Sequence, residues 1–245
     1  IYGQNKAAIE AMNMAVAAGM PGSETTEWAR TNLADLYLNT GNIDSASILY
    51  RTSLVYRKDY PYALMGMSKV EQSKKNYDAA IAYTKSAIQV LSEAAFVSTL
   101  ADLYELKGDA EKAKKTHEDV VRLLEEGQSD EASDAPVKHN VSRELAHAYM
   151  NAGKLDKALE YAQTDLDMRP ENIDANELIA WIYYLKGDAA KAKTHADKML
   201  ATKTNNANTL YKAGAIYASA GELQKGTPLM NDALAVNQYV DQKVI

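Results

Sequence analysis

Seven small residues, Ala8, Ala46, Ala80, Ala113, Ala158, Ala192 and Gly226, recur along the chain at intervals of 38, 34, 33, 45, 34 and 34 residues. A turn lies ahead of each, at Gly3-Gln4, Gly41-Asn42, Lys75-Asn76, Gly108-Asp109, Gly153-Lys154, Gly187-Asp188 and Gly221-Glu222. Four residues before most of these turns stands a tyrosine (Tyr37, Tyr104, Tyr149, Tyr183, Tyr217), with Glu71 in its place once. A further small residue precedes each of these by three, at Ala34, Ser68, Ala101, Ala146, Ala180 and Gly214. A period of this length excludes an ordinary single-core domain. It marks a stack of short units, none of which buries its apolar face without a neighbour.

Each unit reads as two helices. Leu33, Leu36 and Tyr37 share one face, and after the Gly-Asn break Ile43, Ala46, Leu49 and Tyr50 share another. No segment alternates with period two. The expected fold is therefore all-α, a right-handed α-solenoid of antiparallel helix pairs. Small residues at fixed places fit helix axes that cross about 8–10 Å apart, where only Gly, Ala or Ser leaves room. The tyrosine ahead of each turn suits a ring buried between units with its hydroxyl at a polar edge.

At the level of residues, Leu33-Ala34-x2-Tyr37 with Ala46-x3-Tyr50, Leu100-Ala101-x2-Tyr104, Leu145-Ala146-x2-Tyr149 with Pro170, Ile179-Ala180-x2-Tyr183 and Ala213-Gly214-x2-Tyr217 form one pattern. It resembles the tetratricopeptide repeat, whose signature runs W-x2-L-G-x2-Y, then A-x3-F, then A and P. The resemblance covers almost the whole chain. Here Tyr replaces Phe, the opening Trp is absent from its slot, and the unit from Pro61 to Glu93 lacks both tyrosine and turn glycine.

The array divides into a half repeat and loop (1–22), three repeats (23–127), an acidic insertion (128–138) and three repeats with a tail (139–245). Residues 3–18 read as a lone second helix whose partner is expected upstream, with Ile9, Met12 and Val16 as an exposed apolar strip open to a second copy of the chain. Gly226-Thr227-Pro228 predicts a kink or a late helix start in the last unit, since an interior proline loses a hydrogen bond and clashes one turn back.

Reactive chemistry is sparse. The chain has no cysteine, and no nucleophile elbow, phosphate loop or dinucleotide fingerprint occurs. His117 and His195 fall mid-helix where packing is expected; His139 and His147 lie eight apart without a third ligand nearby. Neither a metal, a cofactor nor an enzymatic activity is expected. A net charge of −6 argues against nucleic acid, which is held by clustered Lys and Arg, and no run of apolar residues reaches membrane-spanning length.

The resemblance implies a non-enzymatic scaffold that binds a peptide or protein segment along the inner wall of first helices. Its contact positions carry over to Trp28, Asp35, Tyr62, Lys69, Asp102, Arg143, His147, Glu177, Trp181, Tyr184 and Tyr211. Trp28 also suits packing on the loop before it, and Tyr62, after Pro61, suits sealing a junction. The acids would leave this wall net negative. The lysine and asparagine set that grips a terminal carboxylate in chaperone-binding members is missing, with Thr31, Asp35, Gly66, Ala95 and Thr99 in its places. Two alternatives stay open: the adaptor part of a longer enzyme or membrane-anchored protein, and a self-assembly module. The cellular compartment is not legible.

Overall fold

The turn that closes each first helix is built the same way six times. The N–H of Asn42, Asn76, Asp109, Lys154, Asp188 and Glu222 donates to the carbonyl of Tyr37, Glu71, Tyr104, Tyr149, Tyr183 and Tyr217, at 2.8–2.9 Å. This six-to-one bond needs a left-handed residue just before the donor. Gly41, Gly108, Gly153, Gly187 and Gly221 supply it with φ of 72–86°. Lys75 adopts φ 60° in the unit without a glycine, at a backbone cost of about 1–2 kcal/mol.

A computed structural model describes residues 4–131 and 141–240. Among the described residues the secondary structure is entirely helical, in the order α1 (Asn5–Ala18), α2 (Glu24–Asn39), α3 (Ile43–Tyr56), α4 (Pro61–Ser73), α5 (Tyr77–Val90), α6 (Ala94–Lys107), α7 (Ala110–Glu131), α8 (Ser142–Asn151), α9 (Leu155–Met168), α10 (Ile173–Leu185), α11 (Ala189–Met199), α12 (Ala207–Ser219) and α13 (Leu223–Val236). Six helix pairs follow one unpaired helix, an all-α solenoid. None of these helices is long and apolar enough to cross a membrane.

The described residues gather in two compact units. One holds the chain up to Thr116 together with Asn237–Val240; the other holds His117–Val236. In the first unit Asn237 Nδ2 donates to the Leu38 carbonyl at 3.3 Å, and Val240 is buried. The tail residues Asn237–Val240 thus count with the early repeats, whereas the sequence grouped them with the late ones. Helix α7 continues to Glu131, into the stretch read as the start of the acidic insertion; His139 and the rest of that insertion lie outside the described residues.

The small residues sit where helices touch. A Cβ on Gly226 of α13 would lie 2.5 Å from the Gly214 carbonyl oxygen of α12, and one on Gly214 would lie 2.8 Å from that of Gly226. A Cβ on Gly66 would strike the Tyr50 ring at 2.1 Å. Ala34, Ala46, Ala80, Ala101, Ala146, Ala158, Ala180 and Ala192 have no exposed surface. Two expectations change at the ends. Helix α13 starts at Leu223 and carries Pro228 in its interior, so the late start is not what forms. In α1 the strip of Ile9, Met12 and Val16 is half-buried, with α2 packed against the helix. The face left open is Ala7, Ala11, Met14, Ala15 and Ala18.

The tyrosines ahead of the turns carry a lid. Lys112, Lys157, Lys191 and Lys225, each eight residues on, place Nζ 5.6, 5.0, 5.2 and 3.8 Å from the ring centres of Tyr104, Tyr149, Tyr183 and Tyr217. Tyr149 and Tyr217 also donate their hydroxyls to Glu125 and Asp197 on the helix before. Burial and the neighbouring carboxylate push both phenols up.

Candidate functional site

In the second unit the first helices of three consecutive pairs are α8, α10 and α12. Asn172 and Asn206 start α10 and α12 by accepting from the Ala175 and Thr209 amides at 3.0 and 3.1 Å. Asn176 then anchors α10. Its amide donates to the Pro170 carbonyl at 3.0 Å, and its Oδ1 meets His195 Nδ1 at 2.9 Å. With Ala175, Leu178, Ile179 and Ile182 buried on one side, Asp174, Glu177, Trp181 and Tyr184 at i, i+3, i+7 and i+10 project from the other. Arg143 and His147, one turn apart on α8, and Lys212 on α12 flank them.

The centre of this wall is an aromatic pair with a charged brace. Trp181 and Tyr184 stack at 4.6 Å and 19°, both half-buried, and Lys212 Nζ lies 5.7 Å from the Trp181 ring centre. Lys212 also pairs with Glu177 at 2.8 Å, while Thr209 donates to the other carboxylate oxygen at 2.6 Å. Burial alone would push the Glu177 carboxyl up, but the charge and hydrogen bond of Lys212 and the Thr209 hydroxyl outweigh it and hold it below the ordinary value. At the edge Arg143 faces Asp174 at 3.5 Å, a loose and exposed pair.

His147 is exposed on this wall, and Lys212, Arg143, Glu177 and Asp165 stand near enough to act on its ring. The low-dielectric surroundings disfavour its charged form, and Lys212 and Arg143 add to the effect. Glu177 and Asp165 oppose it, and the imidazole falls to about 4. It is neutral at physiological pH, with one donor and one acceptor nitrogen.

The remaining expected contact residues sit in the first unit and are more occupied. Asp35 accepts from the Tyr50 hydroxyl at 2.9 Å and pairs with Lys69 at 2.8 Å, tying α2, α3 and α4 together. Tyr62 packs edge-on against Tyr60 and Phe96 and donates to Glu93 at 3.0 Å, which seals the α4–α6 junction. Asp102 is half-buried on α6 and engaged by a partner. Trp28 is 54% exposed. The preceding loop is held instead by its neighbour Glu27, fully buried, which accepts from the Gly22 amide at 3.0 Å and from Arg30 at 2.9 Å.

Tyr211 stands half-buried on α12 beside Lys212. Lys212 and Thr209 escaped the sequence reading, which took Tyr211 as the contact position of that unit. A signal existed: opposite charges about one repeat apart pair repeatedly, as Asp35 with Lys69, Arg143 with Asp174, and Glu177 with Lys212. With Lys212 counted, this wall carries two bases and two acids. The expected net acidity does not hold here.

Paired helices of one length, stacked in register, define a helical repeat protein. Models of the tetratricopeptide repeat match residues 29–59 and 143–207, so the chain carries repeats of that kind. No curated protein is similar to it in sequence. Among solved structures it resembles a tetratricopeptide repeat protein from Parabacteroides merdae, with TM-score 0.55 and 15% identity over 98% of this chain and 89% of the other. It also resembles a chain of the APC/C hetero-tetramer Cut9-Hcn1, with TM-score 0.57 and 14% identity over 96% and 44% of the two chains. A third is PilW, a type IV pilus biogenesis factor, with TM-score 0.50 and 16% identity over 91% and 98%.

Proposed function

We propose that the chain is a protein-interaction scaffold without a catalytic step of its own, and that a peptide or protein segment lies across α8, α10 and α12. The stacked Trp181–Tyr184 pair, open to solvent and braced by Lys212, carries this reading. Aromatic side chains with a polar edge give large contact area at small entropic cost, and Trp, Tyr and Arg dominate binding hot spots. The test is a pull-down from the source organism's lysate with wild type and a Trp181→Ala, Tyr184→Ala, Arg143→Ala variant, each first checked by thermal melting. Partners lost by a folded variant support the wall; the same partners in equal amount rule it out.

A second reading, self-association through α1, is favoured by the open Ala7–Ala11–Met14–Ala15–Ala18 face, where Met14 is 68% exposed. Light scattering that returns a monomer mass at all concentrations would set it aside.

A further inference from the structure

The hydrogen-bonding capacity of the α8–α10–α12 wall is unevenly spent. Both oxygens of Glu177 are engaged, by Thr209 and Lys212. Arg143, by contrast, carries five N–H donors and spends none on a protein hydrogen bond among the described residues; its one charged neighbour, Asp174, stands 3.5 Å off. The His147 ring, the Trp181 indole N–H and the Tyr184 hydroxyl likewise have no protein partner there. The unused valence thus sets a planar guanidinium, with the loosely held Asp174 carboxylate beside it, at one end and a stacked aromatic pair at the other.

Resting on the scaffold reading above, we infer that this wall takes an acidic peptide segment, with a carboxylate side chain on Arg143 and an aromatic or proline ring on Trp181 and Tyr184. A guanidinium fork matches a carboxylate in two parallel hydrogen bonds. Asp174 is exposed and loosely held, so it swings aside at little cost. Glu177 is locked and neutralised by Lys212 and does not repel the incoming charge. At His147 burial is the largest influence, and Lys212 and Arg143 lower the imidazole more than Glu177 and Asp165 raise it.

The experiment is a display selection of randomised dodecapeptides on the full chain, followed by binding measurements on the winners as acetylated amides. Winners are expected to carry aspartate or glutamate within three residues of an aromatic or proline. Changing those acids to asparagine or glutamine should weaken binding about tenfold or more. Arg143→Gln should erase that difference while keeping the ring preference, and Trp181→Ala should do the reverse. An acidic winner should also raise the His147 titration followed by NMR, whereas a neutral one should not. Winners without acid, or equal binding of acid and amide forms, overturn the inference and leave the scaffold reading standing. Winners that bind the Trp181→Ala, Tyr184→Ala variant as tightly as wild type overturn both.

Discussion

Glu27 shows how one side chain can organise an irregular junction. Burial pushes its carboxyl up, but hydrogen bonds from Arg30 and the Gly22 amide, with the Arg30 charge, win and hold it below the ordinary carboxylate value. Its stabilising contribution is therefore complete above the unfolded-state value and drains away as pH falls through the lower folded one. Glu27→Gln should cost about 3 kcal/mol at neutral pH, by leaving Arg30 without its partner, and should flatten the acid limb of stability seen in urea titrations at stepped pH. His147 acts in the same direction for a different reason. Its folded value, about 4, lies below the free imidazole, so the unfolded chain binds the extra proton first and stability declines as pH drops from the ordinary histidine range toward 4. Proton NMR should find the ring neutral at pH 6, and His147→Gln should remove that part of the slope. An imidazole titrating near 6.5 would mean that its neighbours do not shield it from water.

Among the helices, the α12–α13 crossing is set by two residues without side chains. Gly226→Ala forces a methyl to 2.5 Å from a backbone oxygen, and should destabilise by about 1–3 kcal/mol despite the better helix propensity of alanine. Gly127→Ala in α7, where a Cβ meets nothing within 4 Å, should stabilise by roughly 0.5–1 kcal/mol. Chemical denaturation of the two variants reads both signs. This crossing was legible beforehand, because close approach leaves a periodic trace in residue size: Ala46, Ala80 and Gly226 announce it at a distance. The turn at Lys75-Asn76 was legible, but the left-handed backbone that Lys75 adopts there was not, since it leaves no mark on a lysine. Of the two outcomes expected at Pro228, the late start is set aside, because α13 already runs from Leu223. At the candidate wall, Trp181 and Tyr184 followed from the contact positions that the family resemblance implies. The Lys212 brace depends on a partner 35 residues earlier, which a reading confined to single units does not see.

Over the whole chain, repeats that touch only their neighbours distribute stability locally. Hydrogen exchange on the Gly226→Ala variant should therefore show protection falling in α10–α13, with α2–α4 unchanged. A uniform loss across both regions would indicate a single cooperative unfolding transition. One earlier feature bears directly on how such a protein should be handled. Four tyrosine rings owe their cover to the primary amines of Lys112, Lys157, Lys191 and Lys225. Acylating reagents used to fix proteins on sensor chips, or to attach dyes, would neutralise those amines and strip the covers from successive repeats at once. Biotin placed enzymatically on an appended peptide leaves them charged and in place.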